Sequence, residues 1–196
     1  MDFFEKVKGF ILEPSKTFDA TKEDTLEDAL KYYVCITAIF SAISAVLFAF
    51  ASTLFGSMMG GFETMMVTGA GITGAISIFV MLLILMVIWA FISGAIVHIF
   101  VYLLGGRKGI AKTIIALMYG DTPYLLFGWI PLIGLIAAIW SLVLNVLGIR
   151  QSQELTTGRA IIAIFIPIIV IGTIVFVAMM AVFTFTIGPE MISQGS

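Results

Sequence analysis

The sequence predicts an all-α polytopic membrane protein, with five transmembrane helices preceded by a short amphipathic helix. Three observations carry that expectation. The 196 residues are 61% hydrophobic and 11% charged, with a mean hydropathy of +1.16, far from the composition of soluble domains. From Tyr32 to Gly106 the only formal charge is Glu63, and all 10 Lys and Arg residues precede the first, third or fifth apolar run. A net charge of −2 lacks the basic footprint of a nucleic-acid binder, so no nucleic-acid partner is expected. The one cysteine, Cys35, supports neither an intrachain disulfide nor a Cys-based zinc site.

Phe3, Phe4, Val7, Phe10 and Ile11 recur at helical spacing, with Asp2, Glu5, Lys6 and Lys8 mostly on the other side. They define a short amphipathic helix that Pro14 ends. Its apolar face suits the headgroup region of a bilayer, where these five residues form a membrane interface; packing on the protein's own cytoplasmic loops is the plainer role. Met1 to Lys6 lack the basic and apolar regions of a signal peptide, so no cleavage is expected. Thr25, with Asp28 three residues on, resembles a capping box leading into the first apolar run.

The expected spans are Tyr32–Phe55, Ile72–Leu104, Ala111–Phe127, Ile130–Gly148 and Ala160–Ile187. The Gly- and Met-rich stretch Gly56–Gly71 separates the first two, and Gly105 to Gly109 makes a charged turn after the second. That second span, about 50 Å if helical against a core of about 30 Å, must tilt, kink or project. A minimal turn near Gly128 makes the third and fourth a hairpin. The division is then a cytoplasmic segment, 1–31, a five-helix unit, 32–187, and an external tail, 188–196. The positive-inside rule puts the N-terminus in the cytoplasm and the C-terminus outside, in the cell membrane if the source is prokaryotic.

Asp121 is the only acid inside an expected helix core, within Tyr119-Gly120-Asp121-Thr122-Pro123. Counting from Ala111 sets it about 15 Å deep. Pro123 removes a helical donor and frees the Tyr119 carbonyl, and Gly120 loosens the same turn, so a kink is expected. A carboxyl at that depth either handles a proton or ligand in a cavity, or caps the broken helix and bonds hydroxyls such as Ser41 or Ser93. His98 and Asn145, both in the cytoplasmic third, are expected to pair and join the second and fourth spans. One histidine makes a metal site unexpected, and neither a catalytic pattern nor a cofactor motif is present. Ser41, Ala45, Ala49 and Thr53, four residues apart, form a stripe for close helix packing within or between chains.

Five later segments and one earlier one resemble the Yip domain family of multi-span membrane proteins. They are Tyr119-Gly120-Asp121-Thr122-Pro123-Tyr124-Leu125-Leu126, Trp129 to Gly134, Ile139 to Leu144, Gly148 to Arg150, Thr157 to Pro167, and the earlier Glu13-Pro14-Ser15-Lys16-Thr17-Phe18. The resemblance, strongest to the short prokaryotic members, implies a five-helix bundle with a cytoplasmic N-terminus. Eukaryotic relatives bind Rab-type GTPases. This chain lacks their long N-terminal region and Asp-Leu-Tyr-Gly signature, so GTPase binding does not transfer. The family supplies no catalytic residues.

The expected role is a non-enzymatic one: organising or shaping membrane, or scaffolding partners. Membrane lipid is the expected partner, together with a cytoplasmic protein or a second copy of the chain. The alternative is a small transporter or channel using Asp121.

Overall fold

The computed structural model describes residues 1–55 and 72–194, with side chains from 1–51 and 72–184. Gly56–Gly71, with Glu63, and the side chain of Thr53 lie outside the described residues. Within them the regular structure is helical: α1 (Phe3–Leu12), α2 (Pro14–Ala20), α3 (Leu26–Phe55), α4 (Ile72–Leu103), α5 (Ile110–Gly120), α6 (Thr122–Phe127), α7 (Ile133–Ser152) and α8 (Thr157–Gln194).

The starts and stops have local causes. A capping box opens α1: the Glu5 amide donates to Asp2 Oδ1 at 2.7 Å, and the Asp2 amide to Glu5 Oε2 at 3.0 Å. Pro14 then opens α2 at a position where its missing N–H costs nothing. The Thr25 amide donates to Asp28 Oδ2 at 3.0 Å and the Asp28 amide to Thr25 Oγ1 at 3.2 Å, the reciprocal cap expected ahead of α3. After α4 the chain turns through Gly105 (φ 104°) and Gly109 (φ 92°), backbone conformations that disfavour a Cβ.

Among the described residues, four helices are long and apolar enough to cross a bilayer: Leu26–Ala51, Ile72–Leu103, Ile133–Ser152 and Thr157–Thr184. Large apolar side chains stand exposed along α4 and α8, as they would if lipid surrounded them. The expected third span differs. Ala111–Phe127 is two short helices stepped at Asp121, because Pro123 cannot donate to the carbonyl of Tyr119. α8 continues to Gln194, past the expected end of the fifth span at Ile187.

α5 is the centre of the molecule, buried on every side from Thr113 to Gly120. Its neighbours approach over glycines. A Cβ on Gly94 of α4 would come within 2.6 Å of Ile114, and one on Gly148 of α7 within 2.8 Å of Phe18 and 3.2 Å of Ala116. The remaining side of α5 is covered by α1 and α2. Phe10 is fully buried, stacked on Tyr119 at 4.8 Å and edge-on to Phe18 at 4.9 Å. Val97 and Val101 of α4, Leu117 of α5 and Ala160, Ala163 and Ile164 of α8 form a second apolar cluster.

Candidate functional site

The break between α5 and α6 frees two backbone groups, and both find partners. Thr122 Oγ1 donates to the orphaned Tyr119 carbonyl at 2.6 Å, and the Tyr124 amide donates to Ser141 Oγ of α7 at 3.0 Å. Because Thr122 has spent its proton, Tyr32 OH donates to Thr122 Oγ1, at 2.9 Å. The kink is therefore held by hydroxyls from α3, α6 and α7.

Asp121 does not cap this break. Its Oδ1 accepts from Asn145 Nδ2 of α7 at 3.0 Å, and neither Ser41 nor Ser93 bonds to it. Asn145 Oδ1 lies against Gly120 so closely that a Cβ there would collide with it. The Gly-Asp pair thus works as a unit: Gly120 admits the Asn145 amide, and Asp121 binds it. Thr37 Oγ1, Ser41 Oγ and Asn145 Oδ1 are buried without a hydrogen-bond partner.

His98 and Asn145 do not pair. His98 Nδ1 is bonded to Thr113 Oγ1 of α5 at 2.8 Å, and Asn145 is committed to Asp121. α5 stands between α4 and α7: His98 of α4 bonds to Thr113 within it, and Asn145 of α7 to Asp121 at its end. Gln153 extends the His98 group: Nε2 donates to Thr113 Oγ1 at 3.0 Å and to the Gly109 carbonyl at 2.8 Å, while Oε1 accepts from the Lys108 amide at 3.0 Å. One buried glutamine thereby ties the α4–α5 turn to the end of α7.

The depth of the break depends on the helix used to measure it. Tyr33 OH donates to the Met86 carbonyl at 3.5 Å, halfway along α4, whereas its neighbour Tyr32, bonded to Thr122, opens the apolar run of α3. Asp121 is therefore near the middle of α4 and near the start of that α3 run, a difference that counting from Ala111 alone does not contain.

The five residues expected at the membrane interface divide. Phe10 is in the protein core, and Phe3 and Val7 pack against the same cluster. Phe4 is 78% exposed, and Ile11 is half-buried. What turns the helix inward is Lys6, a residue assigned by composition to the polar face. Its side chain is buried, its Nζ lies 2.6 Å from Asp24 Oδ2 and donates to Tyr119 OH at 3.0 Å, and Tyr119 OH donates to Asp24 Oδ2. A lysine with a carboxylate 18 residues away carries no sequence signal, so this triad was not legible in advance. The outward side chains of α1 are Phe4, Glu5, Lys8 and Leu12, with Met1 and Asp2 exposed ahead of it.

The basic turns converge at one end. Lys108 Nζ lies 2.9 Å from Glu154, Lys22 Nζ lies 3.9 Å from the same carboxylate, and Lys112 Nζ donates to the carbonyls of Lys22 and Asp24. Lys108, by hydrogen bond and then by charge, holds the Glu154 carboxyl below its ordinary value.

Long apolar helices around a polar, kinked central helix define a multi-pass membrane protein. The chain belongs to the Yip1 domain family, whose family model matches residues 8–179, most of its length. No curated protein and no solved structure matches it.

Proposed function

We propose that this Yip1-domain protein is a five-span, non-enzymatic component of the cell membrane, N-terminus cytoplasmic and C-terminus external, that organises membrane or scaffolds a partner at its cytoplasmic face. α5 and α6 together are the fifth crossing, shortened by the Asp121 step. The observation that carries the reading is the burial of α1 and α2 against α5, which leaves Phe4, Glu5, Lys8 and Leu12 outward as a fixed surface of apolar and charged side chains. Lipid headgroups, a cytoplasmic protein or a second copy of the chain are the partners such a surface takes.

Transport is the second reading, and one observation favours it: a half-buried carboxyl bonded to Asn145, whose Oδ1 is itself buried without a partner. Proteoliposome flux separates the two. The scaffold reading predicts no proton or ion flux above empty liposomes for the wild type and for Asp121→Asn alike. Flux in the wild type that Asp121→Asn abolishes would replace it with the transport reading.

A further inference from the structure

The first turns of α3 carry exposed charge: Lys31 Nζ lies 2.7 Å from Glu27, their side chains are 70% and 74% exposed, and the apolar run starts only at Tyr32. Hydrocarbon cannot reach past that point on α3. Tyr33 is bonded to the Met86 carbonyl, so the limit stands level with the middle of α4. On α4 the apolar surface does not stop there. Ile88, Trp89, Ile92 and Ile99 are exposed beyond it, and Leu103, in the last turn, is 72% exposed. From Met86 to Leu103 is about 25 Å of helix. The stretch carries no charge, and its polar side chains, Ser93 and His98, are bonded to the Ala90 carbonyl and to Thr113.

α8 continues the same face. Ala160, Ala163 and Ile164 cluster with Val97 and Val101, which sets the start of α8 beside the end of α4, and Ile161, Ile162 and Phe165 are exposed among them. The face ends in cations. The Arg107 guanidinium lies 4.0 Å from the centre of the exposed Tyr102 ring, Arg159 Nη1 comes within 3.4 Å of where a Cβ on Gly105 would stand, and neither arginine has a carboxylate partner among the described residues. An apolar face that runs on from the lipid-facing part of both helices and closes on a tyrosine and two arginines has the composition of a membrane boundary. We infer that lipid covers this face: the leaflet at the basic end meets α4 and α8 at Tyr102, Arg107 and Arg159, about 25 Å along the helices from where it meets α3. The boundary is oblique to the bundle. One flank of the basic end lies in the bilayer, and the α1–α2 flank, with Glu5 and Lys8 outward, faces water. The inference rests on the multi-pass class and not on the scaffold reading, because a transporter could sit in the bilayer the same way.

Thiol accessibility of the full chain in phosphatidylcholine nanodiscs tests it. In a Cys35→Ser background, Ile99→Cys and Phe165→Cys place a single thiol on each helix of the face, and Lys16→Cys, on the exposed side of α2, sets the aqueous rate. Positions 99 and 165 are both exposed in the chain, so each substitution should leave the unfolding midpoint in place. A charged maleimide is expected to modify them at least about a hundredfold more slowly than position 16, since a thiol in apolar surroundings forms little thiolate. Bimane attached at either position is expected to be quenched by brominated phosphatidylcholine. Modification of either thiol at the aqueous rate would overturn the assignment, because water would then stand level with the α3 limit on this flank as well. Slow modification without quenching by the brominated lipid would also overturn it, by showing that protein covers the face. Neither result alters the flux expected of the scaffold reading, so the two stand or fall separately.

Discussion

Asp121 and Asn145 hold α6 to α7 through one hydrogen bond, so the chemistry of residue 121 matters through what it does to Asn145 Nδ2. Asp121→Asn keeps an acceptor and should change stability by less than about 1 kcal/mol, whereas Asp121→Leu strands a buried donor and should cost about 1–3 kcal/mol. Thermal unfolding in detergent reads both. Gly120→Ala drives a Cβ into the Asn145 side chain and should cost about 1–3 kcal/mol through overpacking; a midpoint equal to the wild type would show that the α5–α7 contact is looser than described. Lys6→Met removes one member of the Lys6–Asp24–Tyr119 triad and leaves Asp24 without its cation, at a cost of about 3 kcal/mol. At the exposed Glu154 the sign is that of a depressed carboxyl. The Lys108 contact contributes fully above the unfolded-state value and is lost as pH falls through the lower folded-state value. A carboxyl NMR titration should give a midpoint below 4.5, and a value at or above it would contradict the contact.

Among elements, α1 changes most between sequence and structure. Periodicity and Pro14 marked the helix and its end, because those are local properties. Periodicity could not say which surface the apolar face meets, since a bilayer and a protein groove present the same hydrocarbon. Phe10 meets Phe18 of the adjoining α2, and Tyr32 and Tyr119, both far away in sequence. Deleting residues 1–12 would therefore expose the aromatic side of α5 and should lower the unfolding midpoint in detergent by many degrees. An unaltered midpoint would return α1 to a peripheral role. The same limit explains His98. Its partner, Thr113, is decided by which helix lies between α4 and α7. The kink at Gly120-Asp121-Thr122-Pro123 was legible because Pro and Gly act on their own backbone; the hydroxyls that complete it come from Tyr32 and Ser141.

Across the whole molecule, composition gave the class, and the charge asymmetry gave an end at which to gather the basic residues. α5 lies deep in the molecule, enclosed by α3, α4, α7 and the α1–α2 cap, and the proposed scaffold role requires that it stay so. Hydrogen exchange of the full chain in nanodiscs tests that most directly. The account predicts that the amides from Thr113 to Gly120 exchange only on the timescale of global unfolding, and that imposing a pH difference or changing the bathing ions leaves them unaltered. Exchange of Tyr119 to Tyr124 within seconds to minutes under native conditions would mean that water reaches Asp121, and would contradict it.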